Sequence, residues 1–250
     1  MDLINTYLDN VIDILQKARD TQWDILNKGA GMLCDATLAG NNIFAFGCSH
    51  AGLLALELYY RTGGMGTINP VRAPGLNLDV DPATLTSQIE RLDKYGAYIA
   101  DAQPIRSGDV AIVHSVSGRN NVTVDFAMRV REKGAKVIAL TNMNTTAAQP
   151  SRHPTGKSLY QVADLVIDNG GCMGDSSVEV PGVPEKVGPT STAVGAALLY
   201  AMVTQAVGMI AAAGAVPPVF ISANVEGGDA HNAEMLKRYK DNIFYMGFQI

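Results

Sequence analysis

Residues 108–142 read GDVAIVHSVSGRNNVTVDFAMRVREKGAKVIALTN. Residues 109–113 have the apolar run of a strand buried on both faces, 115–121 form a polar loop, and 122–133 repeat apolar residues at helical spacing. Gly134 stops that helix, and 136–140 are a second buried strand. Strand, loop, helix and strand in this order make a βαβ unit, which joins parallel strands.

The same alternation extends in both directions. Upstream, the apolar run 43–46 meets Gly47 and then a helical pattern that reaches Tyr60 and stops at Gly63-Gly64. A further strand is expected over 68–71 and a single helix over 87–102. Downstream, a polar loop (142–158) precedes a fifth strand (163–168) and a Gly/Pro-rich, irregular segment (170–188). This specifies the α/β class, a three-layer αβα sandwich on a mostly parallel five-stranded sheet. Before it, Leu3, Tyr7, Leu8, Val11, Ile14, Leu15 and Ala18, then Trp23, Leu26, Ala30 and Leu33, mark two amphipathic helices. We divide the chain into a helical hairpin, 1–40, that packs on the main domain or on a partner subunit, and an α/β domain, 41–250, closed by a short basic helix at 233–240.

Charge is scarce. Only 17% of the 250 residues are Asp, Glu, Lys or Arg, against about 25% in an average soluble domain, and 39 consecutive residues, 187–225, contain none of these and no His. That stretch is long enough to span a bilayer. Its Ala/Gly-rich composition, the central Thr204 and Gln205, and the absence of flanking basic clusters favour a helix buried in the core or in a subunit interface. The formal charge of −5, six Asp in the first forty residues and the lack of any Lys/Arg run exclude a nucleic-acid partner. The opening MDLINTYLDN has no basic or apolar region of a signal peptide, and Cys34, Cys48 and Cys172 form no close pair, so a reduced, cytoplasmic protein is expected.

Two strand-to-helix turns carry chemistry. In GCSHAG, 47–52, Gly47 permits a sharp turn and Ser49 lies at a helix N-terminus, where free N–H groups and the helix dipole favour an anion. In SVSGRNN, 115–121, Ser115 and Ser117 offer hydroxyls, Gly118 permits close backbone approach, and Asn120 or Asn121 starts the next helix. Neither turn is a GxGxxG fingerprint or a Walker loop. Hydroxyls and amides without a dedicated Lys suit one phosphate monoester; simple helix capping is the plainer explanation of either turn alone.

The segment 108–142 resembles the second half of a sugar isomerase (SIS) domain, whose SxSG loop holds the phosphate of a phosphosugar. FGCSHAGLLALELYYRTGG, 46–64, looks like that family's first βα unit, and VADLVIDNG with VGPTSTAVGAALL, 187–199, like its closing strand and helix. The ending VFISANVEGGDAHN is similar to that of a poorly characterised bacterial subgroup related to phosphoheptose isomerase. The resemblance implies that Gly47, Cys48, Ser49, Ser115, Ser117, Gly118, Arg119, Asn120 and Ser191 contact a phosphosugar, and that a Glu on the helix after the first loop moves a proton between C1 and C2 through an enediol.

Glu57 is the residue for that role, although its offset from Ser49 departs from the family pattern. Set among leucines, it either gains a raised pKa from partial burial or pairs with Arg61 four residues on. His50, at a helix N-terminus, and His231, in the EGGDAHN segment, are the further acid/base candidates; in related isomerases a histidine enters from a neighbouring subunit. His114 reads as a packed, hydrogen-bonded histidine and His153 as a solvated one. Cys48 reads as a space filler. No organic cofactor and no metal is implied, and a homodimer or homotetramer is expected. The alternatives to an isomerase are an amino-sugar phosphate lyase or etherase, and a phosphosugar sensor without catalysis.

Overall fold

The computed structural model describes residues 2–246. Two helices, α1 (Leu3–Thr21) and α2 (Trp23–Leu38), lead into β1 (Ile43–Gly47), α3 (His50–Leu58) and β2 (Ile68–Pro70). Short helices α4 (Thr84–Ile89) and α5 (Tyr95–Asp101) follow, then β3 (Val110–His114), α6 (Asn121–Glu132) and β4 (Lys136–Thr141). The remainder is α7 (Met143–Thr146), α8 (Leu159–Val162), β5 (Leu165–Asp168), a small antiparallel pair β6 (Ser176–Val178) and β7 (Val187–Pro189), α9 (Ser191–Ala212) and α10 (Gly228–Arg238). Strands β1 to β5 form one parallel sheet in the order β2-β1-β3-β4-β5.

Side chains of successive strand residues point to opposite faces, and the core divides accordingly. Ile43, Ala45, Val110, Ile112, Ile138 and Leu140 pack with α2, α3 and α9. Phe44, Phe46, Ala111, Val113, Val137 and Ala139 pack with α5, α6 and α8. Each fully buried Ile, Val, Leu or Phe contributes about 1.5–3 kcal/mol of transfer free energy.

The uncharged segment becomes α9. It is the one helix among the described residues long and apolar enough to cross a membrane, yet Val194, Leu198, Met202, Ala206 and Ile210 are buried against the sheet and its covering helices. Gly29 of α2 and Gly195 of α9 make this packing close: a Cβ on Gly29 would lie 2.5 Å from Met202 Sδ, and one on Gly195 2.7 Å from a Leu54 methyl.

Three segments differ from the sequence expectation. The helix expected over 87–102 is broken, because Lys94 adopts a left-handed conformation and its N–H donates to Asp125 Oδ2 at 2.7 Å. The segment expected to be irregular carries the β6/β7 pair. The last helix begins at Gly228, just after the left-handed Gly227 and ahead of the start expected at 233, so His231 lies in its first turn.

Glycine sites in these helices give opposite outcomes on substitution. A Cβ on Gly96 would sit 1.9 Å from Val122 O, a backbone atom that fixes how α5 docks on α6; Gly31, inside α2, has no atom within 4 Å of such a Cβ. Gly96→Ala is expected to destabilise by about 1–3 kcal/mol or more through overpacking. Gly31→Ala is expected to stabilise by up to about 1 kcal/mol through helix propensity. Chemical denaturation of the two variants checks both signs.

Candidate functional site

The chain leaves β1 toward β2 on one side and returns to β3 on the other, so the carboxyl ends of β1 and β3 flank a topological switch point, the place where open parallel sheets bind ligands. Loops 47–50 and 115–120 rise there. In the first, a Cβ on Gly47 would be 2.5 Å from Ala51 O, so only glycine lets α3 start so close to the strand. Ser49 has φ 55° and ψ −130°, a conformation side chains rarely adopt, and its N–H donates to Leu76 O at 2.7 Å. Such strain costs about 1–3 kcal/mol and concentrates at functional sites.

The second loop folds on itself. Gly118 N–H donates to Ser115 Oγ at 3.1 Å, and Gly118, at φ 59°, passes so close to Thr146 and Thr141 that a Cβ would lie 2.8 and 3.1 Å from their hydroxyls. Asn120 is the N-cap of α6; its amide donates to Glu90 Oε2 at 2.7 Å and its carbonyl oxygen accepts from Arg152 Nη1 at 2.8 Å. Ser117 is half-buried, and its hydroxyl makes no hydrogen bond among the described residues.

Glu90 sets a carboxylate beside the second loop, against Asn120. The helix break after α4 sets it against α6, where Val122 N–H donates to Glu90 O. Burial pushes its carboxyl above the ordinary glutamate range, against the opposing effects of the Asn120 hydrogen bond and of Arg91 and Arg152. Sequence reasoning missed it because nothing in SQIERLDKYG marks Glu90 apart from its neighbours; only the broken helix brings it to the loop.

Seven buried polar side-chain atoms lack a hydrogen-bond partner among the described residues. Six of them, on His114, Arg119, Asn121, Thr145, Thr146 and Asn169, belong to the carboxyl side of the sheet, and only Thr67 Oγ1 lies at the amino side. Buried polar groups are rarely left unpaired without reason. His114 ends β3; its Nδ1–H donates to Ala51 O at 3.1 Å, which leaves Nε2 as a buried acceptor. Burial pushes its pKa down to about 4, so the ring is neutral.

The remaining expected site residues divide. Cys48 is buried beneath the loop, 3.8 Å from Thr123 Oγ1, and burial together with the Glu90 charge pushes its thiol far up, so it fills space. Ser191, at the start of α9, donates to Asp175 Oδ2 at 2.5 Å, and Ser191 N–H donates to Oδ1 at 2.9 Å. His50 is exposed at the first position of α3, beside Ser49. Glu57 lies seven residues further along that helix, about 10 Å down its axis, ion-paired with Arg61 Nη1 at 2.9 Å and accepting from Tyr200. His231 donates to Val219 O at 3.0 Å, on α10, which packs beside Gly66 ahead of β2. Within one chain, Glu57 and His231 are therefore not brought to the two loops. His153, read as solvated, is buried between Asp125 (2.9 Å) and Thr155 (2.7 Å). Surface clefts of 560 Å³ beside Leu3 and Lys186 and 310 Å³ beside Tyr60, Arg61 and Asp229 lie away from the crevice. No three His, Cys, Asp or Glu converge as a metal set among the described residues.

A family model described as the SIS domain matches residues 6–142. The chain is an SIS-domain protein. It also belongs with the UPF0309 proteins: one from Shouchella clausii is 42% identical over 246 residues, covering 98% of this chain and all of that one. Its fold is similar to that of a phosphoheptose isomerase from Francisella tularensis, at 16% identity and TM-score 0.53 over 82% of this chain and 96% of the other. The Vibrio vulnificus NanR protein, solved in complex with ManNAc-6P, is similar at 15% identity and TM-score 0.54, over 94% of this chain and 69% of that one.

Two outcomes test this geometry. Ser49→Gly is expected to raise stability by about 1 kcal/mol, because glycine adopts the Ser49 conformation without strain. The His114 contribution runs with pH: an unfolded histidine titrates near 6.5 and the folded one near 4, so the unfolded state binds more protons between these values. Stability from this group is complete above pH 6.5 and is lost as pH falls toward 4, at about 1.4 kcal/mol per unit of separation. Denaturation from pH 7 to 4 should show a shallower decline in His114→Gln than in the unsubstituted protein.

Proposed function

We propose that this SIS protein binds a sugar phosphate in the crevice between loops 47–50 and 115–120 and interconverts its aldose and ketose forms. The phosphate is received by the Ser115 and Ser117 hydroxyls, the loop amides around Gly118 and the N-terminus of α6, with Ser49 on the opposite lip. The observation that carries the reading is Glu90, a half-buried carboxylate with a raised pKa held by the N-cap residue of the phosphate loop itself.

A carboxylate whose pKa is raised is a stronger proton acceptor, which is what an enediol mechanism needs. Glu90 takes the proton from C2 of the aldose as O1 gains one, giving the enediol; Glu90 then returns a proton to C1 as O2 loses one, giving the ketose. The bonds and protons balance without an oxidant. His50, exposed at the α3 N-terminus, serves the carbonyl oxygen. Holding the phosphate turns remote binding energy into alignment of the reacting carbons.

A second copy of the chain fits this scheme. Ile4, Leu8 and Ile12 lie exposed along one side of α1, and the outward side of α9 carries Ala197, Ala201, Thr204 and Gly208 without a charge. We infer that a homodimer or homotetramer covers these faces and that His231 of one copy serves the crevice of another. The NanR likeness supports the competing reading of a phosphosugar sensor without turnover.

Glu90→Gln separates the two. In an isomerase it should lower turnover of the converted sugar phosphate by about 10²–10⁴-fold while binding persists, and Ser115→Ala with Ser117→Ala should abolish binding of that phosphosugar. A protein that binds phosphosugars across an aldose and ketose panel and converts none is a sensor. Coupled assays and thermal-shift measurements read these outcomes.

A further inference from the structure

The unpaired arginines gather in one place. Among the described residues, every other arginine lies within 4.0 Å of a carboxylate oxygen or over a tyrosine ring. Arg91, Arg119 and Arg152 do neither, and all three border the N-terminus of α6. Arg152 is held there by its loop: the adjacent His153 is buried against Asp125, Arg152 N–H donates to Arg119 O at 2.9 Å, and its guanidinium donates to Asn120 Oδ1 at 2.8 Å. The Arg119 guanidinium donates to Gln149 Oε1 at 2.5 Å, while its Nε is buried without a partner. Arg91 follows Glu90, and its carbonyl accepts from the Asn121 amide at 3.0 Å.

Three like charges do not assemble without cause. Partial burial and the like charges of Arg119 and Arg91 hold the Arg152 pKa below its ordinary value. Glu90 is the one carboxylate acting on Arg152, while Asp93 lies against Asn121 and Asp125 against His153, and the helix N-terminus adds positive potential beside the three guanidiniums. One phosphate already finds neutral donors in Ser115, Ser117 and the loop amides, and neither the Arg119 nor the Arg152 guanidinium is bonded to those serines. A guanidinium offers five N–H donors in a planar fork suited to carboxylate or phosphate.

We propose that the ligand of this crevice carries a second anionic group, a carboxylate or a second phosphate, and that Arg91, Arg119 and Arg152 form the subsite that receives it. The proposal rests on the reading of the serine loop as a phosphate site. It narrows the substrate class from sugar monophosphates to sugar bisphosphates or phosphorylated sugar acids.

The test is calorimetric titration of the full-length protein with fructose 6-phosphate, fructose 1,6-bisphosphate and 6-phosphogluconate at one fixed ionic strength. At least one of the two probes with a second anionic group should bind about ten-fold tighter than the monophosphate, the size of one charge-assisted hydrogen bond; which of the two does so separates phosphate from carboxylate. In Arg91→Gln with Arg152→Gln that ratio should fall to near one, with monophosphate affinity changed less than about three-fold, whereas Ser117→Ala should weaken all three. If the monophosphate binds and both other probes bind no tighter, or if the ratio survives the arginine substitutions, the second subsite is overturned and the phosphate reading stands. If none of the three binds, and phosphosugars of other chain lengths also fail, the phosphate reading falls and the subsite with it.

Discussion

A parallel sheet covered on both faces dictates where polar chemistry goes in this molecule. All five residues of β1 and all five of β3 are buried, and a charged group on either face would have no water and no partner. Polar side chains are therefore confined to the two edges. At the amino edge they are mostly satisfied: the fully buried Asp109 accepts from the N–H groups of Asn42 and Arg106, both at 2.8 Å, and Asn69 donates to three carbonyls. The carboxyl edge keeps its unfilled donors and acceptors. The two ends differ in hydrogen-bond saturation.

Asn120 is the junction through which separate segments reach that edge. Its side chain joins Glu90, from the broken helix between β2 and β3, to Arg152, from the loop between β4 and β5. Neither segment has much regular structure of its own. Both are held by α6, through Asp125 to Lys94 and His153 and through Asn121 to Arg91. A twelve-residue helix thus serves as rigid support for loops that carry the charged groups, which is how mobile segments acquire fixed geometry.

The strands and long helices were legible because their signals are local. The βαβ run 108–142 folds with boundaries shifted by about one residue, the usual looseness of element ends, and the uncharged stretch contains helix α9, which packs one side against the core and leaves the other exposed. The two strand-to-helix loops were visible for the same reason: each is a short contiguous string after a strand. What escaped the sequence was contact at a distance. Glu90 and Asn120 are thirty residues apart, His153 and Asp125 twenty-eight, and no spacing rule links them. Conversely Glu57 stood out among leucines, yet its neighbour at i+4 was Arg61 and the local ion pair prevailed.

The carboxylate of Asp175 gives the crevice a polarity. It rests on the first N–H groups of α9 and on the Ser191 hydroxyl, in a backbone conformation, φ 65°, that non-glycine residues seldom adopt. One of the two long helices that begin at this edge has thus had its positive end neutralised by the chain itself, while α6 keeps its own. A ligand with an anionic head and a hydroxylated tail consequently meets two unlike ends, one that donates hydrogen bonds and one that accepts them. On the proposed function, this contrast would favour one direction of a bound sugar phosphate over its reverse before any contact with the sugar ring is made.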